Sequence, residues 1–231
     1  MARRPMIIGL TGPNAAGKGE VAAVLMKAGL EYHSLSDAVR HEAASRGLDP
    51  TRKNLIRIGN DLRRVHGPGV LAQRIGRRLK GWDVVDSIRN PGEVEALQRY
   101  RGFVLVGVDA PSRLRFARSV RRARAGDANT FREFQAKELE ENSRRGSAQQ
   151  LIRTLALAGE VLCNDGTLRR LRARTRSLLK RLSTASCHGP EGKGAAAGRR
   201  IRIPPGGRAR QRPRRRSQPA RAARKTTTRA E

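Results

Sequence analysis

An α/β fold with a parallel sheet covered by helices on both faces is predicted by three features of the sequence. Short apolar runs alternate with segments of helical periodicity along residues 6–182. The first run, MIIGLT, leads straight into a glycine-rich turn that opens a helix. Beyond Leu182 the large aliphatic residues all but cease, so the packed part of the chain ends there.

The elements follow in order. Met6–Thr11 reads as a buried strand, and Val21, Val24, Leu25 and Ala28 give the next segment a helical face that Gly29 terminates. Glu31–Leu35 is a weaker strand. Helical patterns cover about Asp37–Arg46, then Thr51–Val65, where Leu55, Ile58, Leu62 and Val65 fall on one face, then Gly69–Leu79. Asp83–Ile88 is a second clear strand. Asn90, Pro91 and Glu93 then supply an N-cap, a first-position proline and the acidic arm of a capping box. Phe103–Asp109 is the third strong strand, followed by a helix over Ser112–Arg124. Thr130 with Glu133 caps a helix through about Asn142. Gln149–Ala158 is helical, Glu160–Asn164 is a short fifth strand, and Thr167–Leu182 is a closing amphipathic helix.

Between the first strand and its helix lies Gly12-Pro13-Asn14-Ala15-Ala16-Gly17-Lys18-Gly19, which satisfies G-x-x-x-x-G-K in the strand–turn–helix setting that gives the motif its meaning. Gly12 and Gly17 allow main-chain N–H groups to turn inward around phosphates, while Ala15 and Ala16 keep the hollow clear. Lys18 adds a point charge, and the helix N-terminus favours an anion. The expected fold is therefore a P-loop NTPase fold, a five-stranded parallel sheet with helices on both faces, binding ATP through Gly12, Asn14, Ala15, Ala16, Gly17, Lys18, Gly19 and Glu20. Gly19 stands where a Ser or Thr commonly contacts Mg²⁺. Asp86, near the end of the strand DVVDSI, is the expected carboxylate for that ion; an ordinary turn-capping Asp is the alternative. Glu20 is an unusual neighbour for phosphates, although a first helical turn tolerates a carboxylate.

Charge divides the chain unevenly. Residues 183–231 hold 14 Lys/Arg and 2 Glu with no aromatic, against 36 basic and 18 acidic residues before them. So little apolar surface predicts a disordered Arg/Pro/Gly/Ala-rich tail. That tail is either without an evolved role, even an out-of-frame extension, or an arm binding nucleic acid or another polyanion nonspecifically at low salt. Cys163 and Cys187 imply no disulfide framework, and Cys187–His188 lacks further zinc ligands. No run approaches membrane-spanning length, and the apolar stretch after Pro5 is too short for a signal peptide. The expected location is cytoplasmic.

Several segments carry a family resemblance. The G-K-G form of the loop resembles adenylate-kinase-like nucleotide kinases. More closely, GLTGPNAAGKGEV at 9–21, SLSD at 34–37, VVDSIRNPGEVEAL at 84–97, GVDAP at 107–111 and NDGTL at 164–168 resemble dephospho-CoA kinase-like P-loop proteins, of the kind fused in some chains to a deoxycytidylate deaminase domain. The similarity spans about residues 6–182 and implies site roles. Asp37 would contact the acceptor, or else simply cap its helix. Arg89 would reach acceptor or transferring phosphates, or form a surface ion pair. Arg115, Arg118 and Arg122, spaced on one helix face beside Arg121 and Arg124, would belong to a helical lid, with Arg118 and Arg122 compensating charge on the transferring group. Asn164 and Gly166 would pass backbone around adenine, or form a plain strand-to-helix turn. The deaminase's own His-x-Glu and Pro-Cys-x-x-Cys zinc signature is absent from this sequence.

The resulting expectation is an ATP- and Mg²⁺-dependent kinase that moves the γ-phosphoryl group to a small nucleotide-like acceptor, dephospho-CoA or a nucleoside monophosphate. Its catalytic residues would be Lys18, Asp86, Arg89, Arg118 and Arg122. Two other classes remain open: a nucleotide-sensing regulatory domain left by loss of a deaminase part, and a basic nucleic-acid-binding protein. Acceptor-dependent ADP release separates the first from the others.

Overall fold

The computed structural model describes residues 4–123, 126–140, 142 and 146–185. Within them the chain runs β1 (Met6–Thr11), α1 (Lys18–Lys27), β2 (Glu31–Ser34), α2 (Leu35–Ser45), α3 (Arg52–His66), α4 (Val70–Gly76) and β3 (Trp82–Ile88). It continues through α5 (Pro91–Gln98), β4 (Phe103–Asp109), α6 (Ser112–Arg122), α7 (Phe131–Glu140), α8 (Leu151–Ala156), β5 (Glu160–Cys163) and α9 (Leu168–Ala185).

The five strands form one parallel sheet in the order β2-β3-β1-β4-β5. β1 is central because it is apolar on both sides. Met6, Ile8 and Leu10 enter one core with α1 and α9, while Ile7 enters the other with α2 to α5. The same period-two split separates Val84 from Val85 on β3. The chain leaves β1 towards β2 on one flank, and the connection from β3 crosses β1 to reach β4 on the other. Such sheets gather ligands at the carboxyl ends of their central strands.

Most boundaries match the sequence pattern within two or three residues, and the differences have physical causes. Val65 is 62% exposed, because the buried stripe of α3 runs instead through Ile58, Gly59, Leu62 and Arg63. At α7 the Thr130 hydroxyl accepts from the Glu133 N–H at 3.2 Å, but the Glu133 carboxylate returns to the N–H of Asn129 rather than of Thr130. At α5 the box is complete: Asn90 Oδ1 accepts from the Gly92 N–H, and Glu93 accepts from the Asn90 N–H at 3.1 Å. α4 stops at Gly76, short of the expected Leu79, and α9 runs through the expected boundary at Leu182 to Ala185. The basic tail assigned to residues 183–231, with Cys187 and His188, falls almost wholly outside the described residues, as does Arg124. No helix among the described residues is long and apolar enough to cross a membrane.

Candidate active site

The loop after β1 is a main-chain construction. Gly12 has φ 136° and Gly17 φ 109°, both in a region that side-chain-bearing residues avoid. Space is as restrictive as angle: a Cβ on Gly12 would lie 2.0 Å from the Val108 carbonyl oxygen, and one on Gly17 would lie 2.4 Å from Asn164 Nδ2. Ala15 also takes a positive φ, 58°, at a cost of about 1–2 kcal/mol, and its N–H bonds Asn14 Oδ1 at 3.0 Å. Lys18 arches back over the loop and donates to the carbonyls of Gly12 at 2.6 Å and Pro13 at 3.0 Å. Its ammonium therefore lies across the mouth of the hollow. Beside it, nothing stands within 4 Å of where a Gly19 Cβ would be. That open space at a helix N-terminus is room for an anion or a hydrated cation.

β3 carries Asp86 towards the carboxyl end of the sheet, next to β1, through an irregularity. Gly9 pairs with Val85 and Thr11 with Ile88, so β3 carries one extra residue across that interval. Ser87 takes φ 67°, a strained angle for a residue with a side chain, and such bulges re-aim side chains next to sites. Asp86 is 9% exposed. Its Oδ1 accepts from the Ser87 N–H at 2.6 Å and its Oδ2 from the Tyr32 hydroxyl at 3.2 Å. Burial, reinforced by the neighbouring Asp86 charge, pushes the Tyr32 phenol up to about 12, so it stays a donor at any physiological pH.

A third element closes the loop from the other side. Asn164, buried after β5, donates from Nδ2 to the Ala16 carbonyl at 2.8 Å and from its backbone N–H to Asp109 at 2.6 Å. Arg118 on α6 donates to the Asn164 carbonyl at 3.1 Å and to its Oδ1 at 3.3 Å. The other terminal nitrogen of Arg118, Nη1, is buried with no hydrogen-bond partner. A buried cationic donor with nothing to bond is costly unless an anion joins it, which fits a phosphate-bearing ligand here.

Next to the loop is a cavity of about 270 Å³ that includes Asn14 and Ser87 in its wall. Five arginines line it, Arg40, Arg52, Arg63, Arg89 and Arg122, drawn from α2, α3, the turn after β3 and α6. The one lining carboxylate among the described residues, Asp127, is bonded by Arg122 through Nε at 3.3 Å and Nη2 at 3.0 Å. The geometry is set by a buried pair: Glu93, fully buried, accepts from Arg63 Nε at 2.9 Å with one oxygen, and from the Arg89 N–H at 2.8 Å with the other. Arg89 also donates from Nη1 to buried Gln149 at 3.1 Å, and its carbonyl accepts from the Gln150 N–H.

No family model matches the chain. A UPF0200 protein of Hyperthermus butylicus is 34% identical over 182 residues, spanning 77% of this chain and 95% of that protein. Another, from Methanothrix thermoacetophila, is 34% identical over 179 residues, spanning 76% and 97%. The chain belongs to the UPF0200 family. Among solved structures, TT1252 from Thermus thermophilus aligns with a TM-score of 0.53 at 24% identity, covering 78% of this chain and 98% of that one. A proposed kinase from Chloroflexus aurantiacus aligns at 0.52 and 19%, covering 80% and 99%. These likenesses show the fold of this UPF0200 chain, an α/β domain on a five-stranded parallel sheet with the P-loop after its first strand.

Within that fold the structure brings together Gly12, Asn14, Ala15, Ala16, Gly17, Lys18 and Gly19 with Asn164 and Arg118, and it places Arg89 and Arg122 in the adjoining cavity. Other expected site residues sit apart. Asp37 is exposed on α2 and pairs with Arg40 at 2.5 Å; it is not part of the cavity lining, whereas Arg40 is. Glu20 turns to Arg172 on α9, at 3.1 Å. Gly166 lies in the exposed turn before α9. Arg115 is a structural clamp, donating to the Ala110 carbonyl at 2.8 Å, pairing with Glu138 and lying over the Phe134 ring at 5.5 Å. Phe116 packs against Phe131 and Phe134 to complete this α6–α7 hairpin. The sequence reading missed Arg40, Arg52, Arg63 and Tyr32. Arg63 alone left a trace: a cation inside the apolar stripe of α3 demands a buried carboxylate, and Glu93 is that partner.

Glu31, His33 and Asp83 also come close together near the start of β3, Asp83 being three residues before Asp86 on that strand. Asp83 is used there by His33 at 3.0 Å and by the N–H groups of Lys80 and Gly81, and Glu31 pairs with Lys80. The cluster ties the β2–β3 edge together.

Proposed function

We propose that this protein is an ATP-dependent phosphotransferase that moves the γ-phosphoryl group to a small nucleotide-like acceptor. The observation that carries this reading is a main-chain phosphate loop, crossed by Lys18, that shares Asn14 with the wall of an arginine-lined cavity. ATP occupies the loop, with its β- and γ-phosphates against the amides of residues 14–19 and the Lys18 ammonium. Asp86 is the residue that would hold Mg²⁺, which would neutralise phosphate charge as a Lewis acid. The donor set suits it: Asp86 offers a hard, buried carboxylate oxygen near the carboxyl end of β3, and Mg²⁺ would keep several of its waters.

The cavity favours a nucleoside monophosphate over dephospho-CoA. A hydroxyl acceptor needs a base near its proton. Among the described residues, the only lining carboxylate is already held by Arg122. A phosphate acceptor brings its own anionic oxygen, and the arginines bind its charge. That oxygen attacks the γ-phosphorus in line, the bond to the β,γ-bridging oxygen breaks, and ADP leaves with the electron pair. Arg118 and Arg122, from the α6–α7 lid, compensate charge during transfer and exclude water. The dephospho-CoA kinase-like resemblance belongs to this reading, whereas loss of a deaminase part belongs to the alternative of a nucleotide-sensing regulatory domain. The test is ADP release measured over a panel of nucleoside monophosphates and dephospho-CoA. Turnover that rises at least tenfold with one monophosphate supports it, and equal ATP loss with and without every acceptor overturns it.

A further inference from the structure

Helix α9 has two unlike faces. Leu171, Thr175 and Leu178 are buried on the side that packs into the core with α1. The outward side carries Arg169, Arg170, Arg172, Arg174, Arg176, Lys180 and Arg181, seven cations with no carboxylate anywhere in the helix. Three of these are tied to neighbouring elements: Arg172 to Glu20, Arg174 to Asp165 and Arg181 to Glu160. Among the described residues, Arg169, Arg176 and Lys180 have no ion-pair partner, and all three are exposed. At about 100° per residue they lie within roughly 40° of one another around the helix, along about 16 Å of its length. The proposed phosphotransfer uses none of them.

We infer that this face of α9 binds the phosphate backbone of a double-stranded nucleic acid, without reading its sequence. A duplex presents about one phosphate per 1.7 Å of axis, a spacing a row of cations can follow. Charge complementarity extends past the helix: the chain leaves α9 into residues 186–231, which carry 14 Lys/Arg against 2 Glu. A single strand is a poorer match, because α9 has no aromatic side chain on which bases stack. An anionic membrane is poorer too. Interfacial helices insert an apolar face, and the leucines of α9 lie in or against the core, with only Leu168 at its start substantially exposed.

The test is fluorescence anisotropy on the full chain with a mixed-sequence duplex of about 20 base pairs, over a salt series, comparing wild type with R169A/R176A/K180A. Alanine preserves helix propensity at these exposed positions, and circular dichroism with ATP affinity verifies an intact fold. The expected result is at least a ~10-fold loss of duplex affinity and a fall of about 3 in the slope of log K against log salt. An unchanged slope, no duplex binding by wild type, or tighter binding to a single strand or to phosphatidylserine vesicles overturns the inference. Because the readout is duplex affinity, it stands or falls independently of any kinase activity.

Discussion

The phosphate loop and the cavity beside it are built in opposite ways. The loop is eight consecutive residues whose work is done by main chain, with glycines at 12 and 17 and one lysine. The cavity is made by side chains from several elements, and a buried carboxylate, Glu93, sets two of them. A contiguous main-chain site tolerates little at its glycines. A convergent side-chain site depends on the partner that holds each group, so its weak points lie outside the cavity.

Substitution breaks the two halves differently. Gly12→Ala carries the largest expected effect, because the new Cβ meets the Val108 carbonyl at 2.0 Å on a backbone with φ 136°. A loss of about 4 kcal/mol or more is expected in urea unfolding, and near-normal stability would show that the loop adjusts freely. Glu93→Gln tests the other half. It leaves the buried Arg63 cation uncompensated, for about 3 kcal/mol, and should raise the acceptor KM more than the ATP KM. Replacing both residues with well-packed apolar side chains should recover stability without recovering the acceptor KM.

Asn164→Ala lies at the junction. It removes the bond to Ala16 and one of the two acceptors of Arg118, leaving the main-chain carbonyl, with an expected cost of about 2 kcal/mol in unfolding and weaker ATP binding. Tyr32 gives a pH signature for the β3 end. Its phenol is raised from 10.0 to about 12, so the unfolded chain ionises first and stability falls as pH rises through that window. Tyr32→Phe should flatten that part of the alkaline melting curve, and an unaltered curve would remove Tyr32 from the account. The smallest effect is expected at Gly19→Ser. The space there is open, so stability should shift by no more than about 0.5 kcal/mol while Mg²⁺-dependent ATP affinity rises.

The same contrast explains what the sequence disclosed. Met6–Thr11 and the G-x-x-x-x-G-K run declare a strand and a phosphate loop because their signals are local. The Asn90–Glu93 cap is equally local, and it forms as spelled. Among the cavity arginines, Arg40 and Arg52 look like solvated helix positions until the fold brings them to Asn14 and Ser87, and Arg63 is betrayed only by its place in the buried stripe of α3. Asp37 shows the converse, since a suggestive place after β2 is no guide to the direction its carboxylate takes on α2. Val65 fell on the expected apolar face only because the buried Arg63, not a further apolar residue, completes it.

Isothermal calorimetry of the full chain with ATP and Mg²⁺, wild type against Lys18→Ala, tests the central claim most directly. One saturable site is expected for the wild type and most of that affinity gone in the variant, with the fold unchanged by circular dichroism. No heat with the wild type, or equal affinity in both proteins, would contradict it.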